Sequence, residues 1–298
     1  VQGCKSEKAY ADECDLGHQF DPADLIKPTS SLTGCVPELR PVRNWYFDLP
    51  NFREQLGEIA ENLEADPEVR PVVSQTAKEF LVPPVIYIKN ELEADYHAIE
   101  SKLPAHEFHA AEGNKQSFEL EFANIESRDA ARDELTAAGI RFRTGKALVP
   151  FRISGNVEWG VKVPEMEGVD DLTVWCWPES LWAPVSFSAT ALEARGEELS
   201  AVRDWWCSPD ARVYQFIGQD NLYFYGVAQP ALWMALENGN AEVAYPQPGD
   251  LQQTTLIANH HILFGKVKAS SSGAVKPPSA DQLLEHYTVD QLRAHWLG

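Results

Sequence analysis

Cys4 and Cys14 flank a nine-residue polar segment, and Gly17-His18 lies just beyond, so two thiols and one imidazole fall within a short stretch. Thiolate and neutral imidazole are zinc ligands, and a structural zinc site takes four of them in a tetrahedron, commonly as two close pairs. Here each pair is halved. Cys4, Cys14 and His18 can supply three ligands, with an acid or a water as the fourth; the alternative is two ordinary thiols and a surface histidine. Cys35, Cys176 and Cys207 complete a set of five. That odd, scattered set argues against a disulfide framework and fits a reducing compartment.

These groups need elements to hold them. Residues 1–48 carry Cys, Gly, Pro and short polar turns without sustained periodicity, which predicts a small loop-rich module. Phe52, Leu56, Ile59, Ala60 and Leu63 then repeat at helical spacing, and Asp66-Pro67 ends the helix. Phe118 to Phe122 alternates like a half-buried strand. Ser127 to Leu135 reads as a capped helix closed by Gly139, and Ile140 to Arg143 as a second strand, giving a small α/β insert. The aromatic-rich stretch from Val174 to Phe187, with Tyr214–Ile217 and the helix-like Gln229–Leu236, is expected to supply buried strands and a helix of an α/β sheet, and Leu256–Ala258 a further strand. After the Ser-rich segment ending at Pro277-Pro278, Ser279 and Thr288 are each placed to cap a helix.

Composition narrows the classes. Of 298 residues, 44% are hydrophobic and 23% charged, as in a globular protein with room for two domains. No stretch is long and apolar enough for a membrane span, and no basic-then-apolar leader is visible, so a cytoplasmic protein is the expectation. A net charge of −20 opposes a wide nucleic-acid surface, because phosphate binding rests on clustered Lys and Arg. The chain starts at Val1 and stops at Gly298 within a helical pattern, which predicts a fragment.

Four segments in order carry a resemblance. The first runs from Cys4 through Cys14, Gly17-His18, Leu25-Ile26-Lys27-Pro28 and Trp45 to Leu49-Pro50-Asn51-Phe52. Ile153-Ser154 with Trp159-Gly160 and Val163-Pro164 is the second. The third is Leu181-Trp182-Ala183-Pro184-Val185-Ser186-Phe187, and the fourth Phe216-Ile217-Gly218-Gln219-Asp220-Asn221 with Phe224-Tyr225. Together they resemble the methionyl-tRNA synthetases, a class I aminoacyl-tRNA synthetase family. The glycines of Gly265–Gly273 also keep the separation of that family's lysine-serine signature.

The resemblance implies an α/β fold: the second half of a class I synthetase Rossmann-type catalytic domain plus a zinc-knuckle-like connective domain with an α/β insert. The boundaries it suggests are 1–48 for the zinc-knuckle-like part, 49–165 for the remaining connective region with the insert, 166–276 for the catalytic half and 277–298 for the start of a helical stem. It implies ATP with Mg as cosubstrate, methionine or a related amino acid as substrate, tRNA as the full-length partner, and zinc at Cys4, Cys14 and His18. Gly218, Asp220 and His261 are then adenylate contacts, Ala183, Pro184, Phe187, Asn221 and Tyr225 the amino-acid pocket, and Lys268 the catalytic cation. The sequence departs from the family at several of these places. Tyr225 replaces a histidine, Gln219 a lysine, and Ser270 stands at the second signature lysine, with Lys266 and Lys268 out of register. The family's His-Ile-Gly-His motif belongs to the first Rossmann half, and His260-His261 is not that motif. Two functions stay open: a divergent ligase whose fragment alone is inactive, or a non-catalytic pseudo-synthetase that binds.

Overall fold

The computed structural model describes residues 9–10, 13–14, 25–38, 40–238, 245–260, 263–264, 267–268 and 277–297. The chain divides into two units: Arg43–Asn259, and the flanking segments Val1–Val42 with His260–Gly298. In the flanking unit Ala9–Tyr10 (β1) and Glu13–Cys14 (β2) pair antiparallel. Cys4 and His18 lie outside the described residues, and Cys14 is described only as backbone of β2.

The larger unit opens with Tyr46–Phe47 (β3) and a helical pair, Arg53–Ala65 (α1) and Pro71–Leu81 (α2). α1 buries Leu56, Ile59, Ala60 and Leu63, the stripe its spacing predicts. It stops at Asp66, which is extended because the following proline disfavours the helical region for its predecessor. Pro71 starts α2 at the position where a missing N–H costs nothing.

The insert is larger and more regular than strand, helix, strand. Val85–Lys89 (β4), Glu93–Ile99 (α3), His106–His109 (β5), Ser117–Phe122 (β6), Ile125–Ala137 (α4) and Phe142–Thr144 (β7) form a β-α-β-β-α-β unit. Its sheet has the order β5-β6-β4-β7 with every neighbour antiparallel, which is the split βαβ, or ferredoxin-like, arrangement. One face of that sheet is apolar: Ile86, Ile88, Phe118, Leu120 and Phe122 pack with Tyr96 of α3 and with Ala131 and Leu135 of α4. The other face carries the alternate residues, Tyr87, Glu119 and Glu121 among them. α4 begins two residues before Ser127. Asn124 is the cap, its side chain accepting from the Ser127 N–H at 2.8 Å, and Gly139 at φ +74° closes the helix end.

The chain then returns. Phe151–Arg152 (β8) pairs with β3, and Ser154–Gly155 (β9) with Thr173–Val174 (β10). Ser154 is fully buried; its hydroxyl accepts from the Trp45 N–H at 2.8 Å and donates to the Asn44 side chain at 3.1 Å, pinning the two passes together.

The stretch expected to contribute buried strand beyond Val174 is instead a long helix, Cys176–Ala194 (α5). Its Leu, Ala and Glu content supports a helix of that length, and Pro184 sits inside it. Val202–Trp206 (α6) leads to Tyr214–Gly218 (β11), a π-helical turn Phe224–Ala228, Gln229–Asn238 (α7) and Thr255–Asn259 (β12). β11 and β12 are parallel neighbours, as a strand, helical crossover, strand unit requires. α1, α2, α5, α7 and the π turn share one core through Leu56, Val73, Leu181, Val227, Ala231 and Leu256. Each such leucine or valine, fully buried, contributes about 1.5–3 kcal/mol.

In the flanking unit Leu263–Phe264 (β13) pairs antiparallel with Val267–Lys268 (β14). The helices Ala280–Leu284 (α8) and Val289–Leu297 (α9) follow. Ser279 and Thr288 cap them as expected, each exchanging hydrogen bonds with a glutamine three residues on, Gln282 and Gln291.

Candidate functional site

Parallel pairing in register puts the carboxyl ends of β11 and β12 side by side, Gly218 opposite Asn259. In open parallel sheets ligands bind outside such ends. The chain leaves β11 at Gly218 into a single 3₁₀ turn, Gln219–Asn221. A Cβ built on Gly218 would lie 2.5 Å from Asp220 Oδ1, so only glycine lets that carboxylate fold back over the strand end. Asp220 is exposed and Asn221 half-buried. The strand end therefore offers backbone at close range beside an accessible carboxylate, a pairing suited to vicinal hydroxyls.

Arg70 reaches the same edge from the start of α2. Its Nη1 donates to the Ala258 carbonyl at 3.3 Å and to Asn259 Oδ1 at 3.1 Å, placing a cation at the carboxyl end of β12. Sequence reasoning missed Arg70, since its partners lie 188 and 189 residues away. Tyr214 at the other end of β11 donates to Glu68 at 2.9 Å, so the loop between α1 and α2 is tied to both strands.

Next to the strands the π turn carries Tyr225. A π turn inserts an extra residue per turn and commonly sits at functional places. Tyr225 OH lies 3.3 Å from Ser180 Oγ of α5, and Phe224 stacks on Trp177 with ring centroids 3.6 Å apart. Ala183 and Pro184 are half-buried, while Phe187 is 72% exposed. They follow Ser180 at i+3, i+4 and i+7, hence on its face of the helix, but Phe187 stands about 10 Å further along the axis. The geometry thus joins Tyr225 to Ser180 and its neighbour Phe224 to Trp177, with Phe187 outside that group.

Tyr225 also lines a cavity of about 20 Å³ with Gln229, Trp233, Tyr245 and Leu256. Gln229, 1% exposed, donates to the Leu181 carbonyl at 2.9 Å and accepts from Gln215 at 2.7 Å. Gln215 donates in turn to Thr254 at 2.8 Å. This buried polar chain ties β11 to α5, α7 and the segment before β12. Trp233 Nε1 is buried with no acceptor among the described residues, and the space is that of roughly one water. Burial pushes the nearby Tyr223 phenol up to about 12.

His261 lies outside the described residues, as do Lys266 and Ser270, and Lys268 is described only as backbone of β14. Among the described residues no helix is long and apolar enough to cross a membrane.

The sequence model of the family described as tRNA synthetases class I (M) matches residues 1–87 and 116–297. Methionine-tRNA ligase of Chloroflexus aggregans is 26% identical over 97% of this chain, and that of Korarchaeum cryptofilum 28% identical over 80%. The chain spans 38% and 31% of the length of these two relatives. The match is interrupted inside the insert over residues 88–115, from within β4 to two residues before β6. It takes in both strands of the parallel pair, the Gly218–Asp220 turn and Tyr225. The chain belongs to the class I tRNA synthetases of the methionyl type.

Proposed function

We propose that this chain carries one side of the adenylate-forming crevice of a methionine-tRNA ligase-like protein. The observation that carries the reading is the Gly218–Asp220 turn at the carboxyl end of a parallel strand. In this reading Asp220 accepts from the ribose hydroxyls of ATP, which enters with Mg, and the Gly218 backbone lies against the adenosine. The segment reaching His261 receives adenine. Tyr225 and Asn221 face the amino acid together with Ala183, Pro184 and Phe187, and the Tyr225–Ser180 hydroxyl pair favours a ligand more polar than methionine itself. Lys268 supplies the cation for the departing pyrophosphate. Zinc at Cys4, Cys14 and His18, tRNA as the final acceptor and a cytoplasmic location belong to the same reading.

The second reading, a binding protein without catalysis, is favoured by one observation: an uncharged Ser270 stands where the family has a lysine. Negative charge builds on pyrophosphate in the transition state, and one preorganised contact there is worth on the order of a hundredfold in rate. The test is amino-acid-dependent ATP–pyrophosphate exchange by a polypeptide that joins this region to the rest of the relatives' length. The ligase reading expects slow exchange that Ser270→Lys raises and Asp220→Asn abolishes. Exchange absent from both the parent and Ser270→Lys makes the binding reading the better one.

A further inference from the structure

We propose that Glu107, His109 and Glu121 form a divalent-cation site of the zinc class on the outward face of the insert's sheet. The family's sequence model omits residues 88–115, so β5, which carries two of the three ligands, lies outside the residues that model matches.

Strand geometry builds the site. Alternation on β5 turns His106 inward, where it bonds Tyr96 OH at 2.8 Å and the Pro104 carbonyl at 2.7 Å, and turns Glu107 and His109 outward. The β5–β6 register sets Glu107 directly opposite Glu121. Two carboxylates facing each other across a sheet repel, and among the described residues neither has a Lys or Arg within ion-pair distance. What lies between them is His109, whose Nε2 is 3.5 Å from Glu121 and 4.0 Å from Glu107.

The neighbouring charges are engaged elsewhere. Glu119, the direct partner of His109 in the register, is held by Lys115 at 2.9 Å. Arg143, two strands further across, lies over the Tyr87 ring at 5.8 Å. The three donor atoms all fall within 4.8 Å of one another. Tetrahedral zinc with ligands at about 2.1 Å holds donor atoms about 3.4 Å apart, so the separations here need only small side-chain adjustments. One imidazole and two carboxylates on a paired, rigid strand frame match borderline first-row cations, with the remaining positions open to water. The cation would also neutralise the opposed carboxylates.

The experiment uses the whole chain, zinc as the probe, and His109→Gln and Glu121→Gln, both at positions outside the insert's core. Zinc titration by calorimetry is expected to lose one equivalent in His109→Gln and to weaken at least about tenfold in Glu121→Gln. Because Cys4, Cys14 and His18 could take zinc as well, the site is read locally too: zinc should protect His109 from diethyl pyrocarbonate, mapped by mass spectrometry. Unchanged stoichiometry in His109→Gln overturns the proposal, as does a His109 modification rate indifferent to millimolar zinc.

Discussion

The insert and the parallel-strand region solve the same problem, holding a sheet against helices, in opposite ways. The insert's four strands are all antiparallel neighbours, and its helices α3 and α4 close over one apolar face with a core of its own. β11 and β12 are a parallel pair whose support comes from α1, α2, α5, α7 and the π turn, elements spread from Arg53 to Asn238. Buried polar groups differ as well: Gln215, Gln229 and Thr254 form a side-chain chain beside the parallel pair, whereas in the insert Tyr96 bonds His106 and the buried Arg128 bonds the adjacent Asp129. The lesson is that the part bearing the candidate site is assembled from distant segments, while the insert is locally self-sufficient.

The largest effect should come from cutting into the insert's core. Phe118→Ala removes a ring that is 1% exposed and should cost about 3–5 kcal/mol. All nine tryptophans lie outside residues 85–144, so hydrogen exchange across the insert should accelerate while the tryptophan fluorescence midpoint in denaturant stays where it was. A joint shift of both signals would break the claim of self-sufficiency.

The second test addresses the parallel region through pH. Burial raises the Tyr223 phenol from its ordinary 10 to about 12 in the folded protein. The neutral form is therefore favoured by folding, so its contribution is complete below pH 10 and is lost as pH climbs from 10 towards 12. Denaturation midpoints followed by tryptophan emission should fall over that window, and less steeply in Tyr223→Phe. Equal slopes in the two proteins would remove Tyr223 as the cause.

A smaller effect sharpens the contrast from the insert's side. Asn124→Ala deletes the α4 cap and should cost about 1 kcal/mol, visible as faster exchange in α4 and its strands and nowhere near β11 or β12.

How much of this was legible in the sequence depended on whether the signal was local. α1, β6 and α9 declare themselves by periodicity and caps, because the partners that fix them lie within a few residues. β4 carries an equally plain signal in Val85-Ile86-Tyr87-Ile88, a run of β-branched and aromatic residues, and with it goes the insert's full topology. β5 is a different matter. His106-Glu107-Phe108-His109 has one strongly apolar residue in four, and only pairing with β6 makes it a strand. The run after Val174 was expected to include buried strand because of its aromatic content, yet helix-forming residues and the packing of Leu181 and Leu192 decide otherwise. For the candidate site, the Gly218–Asp220 turn and Tyr225 came from motif resemblance. Arg70 and Ser180 could not, since each acts through a contact that exists only after folding.

The insert's two ends carry a consequence for how such a chain arises. β4 begins it and β7 ends it, and these strands are neighbours: Gly145 N–H bonds the Val85 carbonyl at 2.9 Å, with glycine at the exit because a side chain there would collide with that of Val85. The polypeptide thus departs and comes home at nearly the same point. To the surrounding fold, everything from Val85 to Thr144 counts as little more than a tight hairpin, and closing so short a gap is entropically mild. A cassette with this stitching could be gained, exchanged or trimmed by a lineage without the host scaffold having to re-form a single strand.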